Sequence, residues 1–132
     1  MISDNATPEA SDAPAHLALG RLGEKAAAKF LWANGYRILR TNYESGRGEI
    51  DLIAEKVGRI HFVEVKTRSS ESLGRPEERI DTKKREMLRE TAQRYLAEFR
   101  HSPDGGWQFD AIAILMRPDS TIQRLEHQEN VF

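Results

Sequence analysis

Cysteine is absent from the 132 residues, which excludes a disulfide scaffold, a thiolate zinc site, an iron–sulfur cluster and a cysteine nucleophile. No apolar run in the sequence approaches the roughly 18 residues that span a bilayer, so no membrane partner is expected. Nor does a basic start followed by an apolar stretch mark a secretory signal. An excess of one charge sign is lacking too: 20 Lys and Arg face 21 Asp and Glu, for a net charge of -1. That balance fits neither a histone-like polycation nor an acidic solvating tail, and on its own it argues against a nucleic-acid partner. Phosphate-binding glycine loops, nucleotide-binding fingerprints, Ser-His-Asp constellations and internal repeats are all missing. What is present, 39% hydrophobic residues in a chain of this length, suits one soluble domain that buries roughly two-thirds of its unfolded surface. A cytoplasmic location is expected.

The first 15 residues hold Asp4, Glu9 and Asp12, no basic side chain and two prolines, which predicts a disordered leader ahead of a single domain over 16–132. Without the leader, 20 basic residues meet 18 acidic ones, a net of +2. Leu17, Leu22, Ala26, Phe30 and Leu31 recur at three- and four-residue spacing over 16–34, and Gly35 follows as a stop, so a helix is predicted there. Strands follow at 36–44, 49–55 and 59–68, with a Ser45-Gly46-Arg47-Gly48 turn and a reversal at Lys56-Val57-Gly58. A loop from Ser69 leads into a long helix, 80–99, with Met87, Leu88, Ala92, Tyr95, Leu96 and Phe99 on its buried side. Strands at 107–115 and 121–126 complete the order αβββαββ, in which the second helix carries a crossover that can return parallel.

Two stretches place charge inside strands: Gly48-Glu49-Ile50-Asp51-Leu52 and Phe62-Val63-Glu64-Val65-Lys66. Successive strand side chains alternate faces, so Glu49 shares a face with Asp51, and Glu64 with Lys66. A two-residue turn centred on Val57-Gly58 pairs residues whose numbers sum to 115, setting Asp51 opposite Glu64 and Glu49 opposite Lys66. A turn of odd length would slip the register by one. Carboxylates facing each other across a hairpin approach to about 4.5–5.5 Å, and at about 4 Å with an effective dielectric near 20 they repel by on the order of 4 kcal/mol. A divalent cation between them reverses that sign, and oxygen ligands without thiolates favour Mg²⁺ or Mn²⁺. Lys66 would then lie beside the metal, where an ammonium orients water or stabilises charge on a phosphate. The pattern fits metal-assisted phosphodiester hydrolysis. Alternating Glu and Lys on a strand are more commonly a solvated face, but Asp51 in an apolar strand and the apolar neighbours of Glu64 distinguish this pair.

Asp51, twelve intervening residues and Glu64-Val65-Lys66 resemble the PD-(D/E)XK nuclease signature, with Glu49-Ile50-Asp51 where the signature's Pro-Asp would stand. More closely, the chain resembles the YraN-like family of predicted endonucleases, which are similar to archaeal Holliday-junction resolvases. The resemblance runs in order through Gly20-Arg21-Leu22-Gly23-Glu24-Lys25-Ala26-Ala27, Gly35-Tyr36-Arg37-Ile38-Leu39, Asn42-Tyr43, Gly48 to Ala54, Phe62 to Arg68, Phe109-Asp110 and Asn130-Val131-Phe132. It implies a restriction-endonuclease-like α/β core, a mixed β-sheet flanked by helices, acting as a Mg²⁺- or Mn²⁺-dependent endonuclease on DNA, with branched DNA and a homodimer as candidates. It further implies Asp51 and Glu64 as metal ligands, Lys66 at the attacking water, Glu24 as a metal-associated glutamate on the first helix and Glu49 as a weaker ligand. Lys83 matches a lysine that recurs in the family at the start of the second helix and is assigned either a phosphate contact or a supporting position behind the metal ligands. Arg68 and Arg75, just past the motif, are placed for a DNA backbone. A non-catalytic DNA-binding or assembly module on the same scaffold is the alternative, and nothing here reads a 2′-hydroxyl to separate DNA from RNA.

On residue pattern alone Glu24 is a polar helix position. Gly20 and Gly23 are unusual beside it, each costing a helix roughly 1 kcal/mol against alanine, which close backbone approach would explain. His16, His61, His101 and His127 show no ligand spacing, and Trp32, Trp107 and Tyr95 read as core. Asp110, in an apolar strand, reads either as support for the site or as a hydrogen-bonded core residue.

Overall fold

The computed structural model describes residues 15–70, 81–99 and 104–132. The predicted leader up to residue 14, Arg75, His101 and most of the loop after the third strand lie outside the described residues, while Ala15, placed in the leader, is the first residue of a helix. Seven elements follow in the predicted order: α1 (Ala15–Ala33), β1 (Arg37–Ser45), β2 (Gly48–Lys56), β3 (Arg59–Ser69), α2 (Thr82–Glu98), β4 (Trp107–Met116) and β5 (Ile122–Gln128). The five strands form one mixed sheet in the order β1-β2-β3-β4-β5. Pairing is antiparallel throughout except between β3 and β4, which run parallel and are joined through α2. Parallel neighbours need such a crossover, whereas the hairpins do not.

The Val57-Gly58 turn has both central residues at positive φ, 51° and 77°, the primed-turn geometry that matches strand twist. It sets the register as expected: Lys56 pairs with Arg59, Ile53 with Phe62 and Leu52 with Val63. That ladder ends at Leu52, one residue short of Asp51.

Each helix covers one face of the sheet. Ala27 and Leu31 of α1 pack with Leu52, Ala54, Val63, Ile112, Ile114 and Met116. Leu88, Ala92 and Tyr95 of α2 pack with Ile50, Ile53, Ile60, Phe62 and Phe109. Burying each large aliphatic side chain is worth roughly 1.5–3 kcal/mol, and the two clusters sandwich β3, whose apolar residues divide between them. Asp81 caps α2, its side chain accepting from the Lys84 N–H at 2.8 Å, so the helix begins at Thr82, two residues later than its periodicity suggests. Close to the C-terminus, the Val131 N–H donates to the Phe109 carbonyl at 2.8 Å, and Phe132 stacks on Phe109 with ring centroids 4.5 Å apart.

Several expected core positions are not core. Trp32 is 73% exposed, and Leu22 and Phe99 are exposed as well. Trp32 sits in the last turn of α1 about 100° around the helix from Leu31, which is fully buried in the core, so its ring lies on the solvent side. Phe99, the C-cap of α2, lays its ring against Tyr43 and Tyr95 and under the Arg40 guanidinium. Among the described residues no helix is long and apolar enough to cross a membrane.

Candidate metal centre

Beyond Leu52 the β2 strand departs from regular alternation. Leu52 belongs to the α1-side cluster and Ile50 to the α2-side cluster, although residues two apart in a regular strand share a face. Between them, the Asp51 carboxylate reaches across to β3 and accepts the Val65 N–H at 2.8 Å. A side chain thus takes over where the backbone ladder stops, and the carboxylate lies in the gap between two strands. From there it meets groups from both faces. Glu64 approaches from the α2 side of β3, and Glu24 faces it from α1.

The electrostatics follow from that position. Burial first, then the charge of Glu64, push the Asp51 carboxyl up to about 8. The Val65 N–H opposes the rise, while a hydrogen bond with Glu64 and the charge of Glu24 add to it. Burial and the neighbouring carboxylates thus favour the protonated form of Asp51.

Glu24 and Glu49 are tied together by Asn42, whose Nδ2 donates to Glu24 Oε1 at 3.0 Å and to Glu49 Oε2 at 3.3 Å. Asn42 has φ of 49°, a left-handed conformation that Asn tolerates better than most residues. Glu49 itself is exposed and pairs with Glu44 of β1; it does not face Lys66 in the described ladder. Residue pattern assigns Asn42 no role, and an Asn inside a strand is the signal that would have found it.

Gly23 explains how α1 brings Glu24 so close. A Cβ built there would fall 1.7 Å from Thr67 Oγ1 and 2.8 Å from Thr67 Cβ, so the helix lies on β3 at a distance only glycine permits. Gly20 has nothing within 4 Å of the same construction, and close approach does not account for it. On the other side, Gly48 lets α2 approach, since a Cβ there would meet Thr91 Oγ1 at 2.1 Å.

Lys66 and Arg68 continue the α2-facing side of β3 after Glu64, and both are half-buried. Lys83 is exposed. The lysine that reaches the motif is its neighbour Lys84, with Nζ 3.2 Å from Glu64 Oε2. Consecutive helical residues point about 100° apart, so the two lysines have different surroundings.

A second polar cluster lies toward the opposite end of β3. His61 Nδ1 and His127 Nε2 lie 2.7 and 2.9 Å from Asp110 Oδ2, and Oδ1 accepts from Gln108 Nε2 at 2.7 Å and the Asn130 N–H at 3.0 Å. Burial would raise the Asp110 carboxyl, but the bonds from His127, His61, Gln108 and Asn130 outweigh it and hold the group well below the usual carboxylate range. Tyr36 packs edge-on against both imidazoles, and burial, with Glu129 and Asp110 nearby, pushes its hydroxyl up to about 12. His61, Asp110 and Glu129 bring donor atoms within 4.8 Å of one another, the one such grouping of three or more among the described residues. Asp51, Glu64 and Glu24 are spaced more widely. The tighter set is nonetheless the poorer candidate for a cation, because each Asp110 oxygen is already taken by two N–H donors.

The carboxylates at Asp51 offer what the Asp110 cluster lacks: hard oxygen donors in mutual repulsion, with few N–H groups to relieve it. That donor set fits Mg²⁺ or Mn²⁺, with Asp51 and Glu64 as the residues that would hold it and Glu24 adjacent.

Comparison with known proteins agrees with the sequence resemblance. The profile of the uncharacterised protein family UPF0102 matches residues 23–114. A UPF0102 protein of Porphyromonas gingivalis is 39% identical over 113 residues, covering 86% of this chain and 82% of the relative. One from Pelotomaculum thermopropionicum is 40% identical over 120 residues, 91% of this chain and 99% of the relative. A third, from Chlorobium phaeobacteroides, is 44% identical over 119 residues, 86% and 93% respectively. The chain belongs to the UPF0102 family.

Proposed function

We propose that the protein is a Mg²⁺- or Mn²⁺-dependent endonuclease that hydrolyses DNA phosphodiester bonds, with branched DNA among its candidate substrates. The observation that carries this reading is the Asp51 carboxyl, buried in the gap between β2 and β3 and pushed up to about 8 beside Glu64 and Glu24. Structural carboxylates are normally compensated by donors, as Asp110 is. A buried acid set against two others is a costly arrangement that a divalent cation would relieve.

A bound divalent cation would supply positive charge for the phosphate and a more acidic water. The chain's own residues divide the remaining work. Asp51 and Glu64 provide ligand oxygens from adjacent strands, and Glu24 supports the same region from α1. Lys66, two residues after Glu64, orients the attacking water and offsets charge gathering on the phosphate oxygens. The water oxygen bonds to phosphorus as the bond to the leaving oxygen breaks, and the leaving oxygen takes up a proton. Arg68, Arg75 and Lys83 contribute phosphate-backbone contacts outside the reacting bond, which makes binding fall steeply with salt.

A cleavage panel of linear, flapped, single-stranded and four-way DNA, together with RNA, tests the reading with Mg²⁺ or Mn²⁺ present. Metal-dependent cleavage of DNA, lost in Asp51→Ala with the fold retained, is expected. Undiminished cleavage by pure Asp51→Ala protein would sink the assignment, and binding of DNA without turnover on every substrate would identify a binding module.

A further inference from the structure

The ion pair between Lys84 and Glu64 has features of a temporary contact. The Glu64 side chain is only 13% exposed, whereas that of Lys84 is 45% exposed, so the ammonium reaches the carboxylate from the solvent side. Its backbone is fixed, because the Lys84 N–H is the one that caps on Asp81. The four-carbon stem beyond it is long and rotatable, which leaves the charged end able to move while α2 stays in place. Its partner Glu64 lies beside Asp51, whose carboxyl also feels the charge of Glu24.

Resting on the reading of Asp51 and Glu64 as a cation site, we propose that Lys84 is an exchangeable counter-ion of that site. It neutralises Glu64 until a divalent cation takes the carboxylate, and its ammonium is then released to a phosphate of the nucleic-acid backbone. Two positive charges cannot share the same Glu64 oxygen without repulsion, so cation binding and the Lys84 contact oppose each other. Released at the first turn of α2, the ammonium would stand beside Lys83, and two adjacent cations favour an anionic phosphate. Lys84 would thereby link loading of the cation to capture of the substrate. Lys83 lacks the Glu64 contact and would hold its phosphate with or without the cation.

Calorimetric titration of Mn²⁺ into the wild-type chain and into Lys84→Gln, Lys84→Arg and Lys83→Gln tests this directly. Lys84→Gln should bind Mn²⁺ roughly two- to fivefold more tightly, the range expected when a half-exposed ion pair stops competing. Lys84→Arg and Lys83→Gln should stay near wild type. Duplex binding gives a second readout: Lys84→Gln should bind DNA as the wild type does without a divalent cation, and more weakly than wild type in Ca²⁺. Equal or weaker Mn²⁺ binding by folded Lys84→Gln would overturn the counter-ion role and leave the cation site standing. Absence of Mn²⁺ binding in every protein would overturn both. A loss of duplex binding that is the same with and without the divalent cation would reduce Lys84 to an ordinary phosphate contact and overturn the exchange.

Discussion

Asp110 and Asp51 are the same residue type, set in neighbouring parts of one sheet and both largely removed from water, yet their surroundings drive them in opposite directions. Asp110 receives His61, His127, Gln108 and the Asn130 N–H, and its carboxyl is held well below the usual range despite burial. Asp51 receives the Val65 N–H, with Glu64 and Glu24 against it, and its carboxyl rises to about 8. Asp110 is the more buried of the two, so burial alone would raise it further; the balance of donors decides the direction. The first arrangement ties β3, β4, β5 and the C-terminal segment together as a finished hydrogen-bond network. The second sets a carboxyl in the gap between two strands against neighbouring carboxylates, and strain of that kind in a fold is typical of functional sites.

The comparison breaks most visibly at the Asp110 end. Asp110→Ala strands two imidazoles and an amide around a cavity, and urea or thermal melts should show a loss of about 3–5 kcal/mol. A loss below about 1 kcal/mol would mean that the network is not structural, and the contrast with Asp51 would fail. A smaller effect sharpens the other end. Gly23→Ala must move Thr67 or lift α1 from β3, and should destabilise by roughly 1–3 kcal/mol, even though alanine favours helix. Gly20→Ala, with open space around its Cβ, should instead stabilise by up to about 1 kcal/mol. Paired melts of the two variants check the difference, and equal effects would show that α1 does not depend on close contact at Gly23 to place Glu24.

Much of this was readable from local pattern. The two-residue turn at Val57-Gly58 fixed the β2–β3 register, and charged residues within apolar strands drew attention to Asp51 and Glu64. What escaped required knowledge of which elements become neighbours. The Asp110 network assembles from β3, β4, β5 and the residues after them, so no single segment announces it, and the spacing of His61 and His127 carries no signature. Asn42 joins α1 to β2 through a left-handed backbone conformation inside a strand, which periodicity reads as one more strand residue. The contact of Lys84 with Glu64 depends on helix phase at a capped N-terminus, where a shift of one residue rotates a side chain by about 100°. Trp32 was assigned to the core by its type, but helix phase gives the buried position to its neighbour Leu31 and turns Trp32 outward.

The central claim is that the Asp51 pocket is built for a cation, and stability measured against pH and Mn²⁺ in wild type and Asp51→Asn tests it most directly. A carboxyl whose folded value is raised from the ordinary 3.8 to about 8 contributes stability that is present below about pH 4 and is lost as pH climbs through 8. Without metal, Asp51→Asn should therefore match wild type near pH 4 and exceed it near pH 8 by on the order of a few kcal/mol. Saturating Mn²⁺ at pH 8 should raise the wild-type melting temperature and leave that of Asp51→Asn unchanged. Equal responses of the two proteins to pH and to Mn²⁺ would contradict the account.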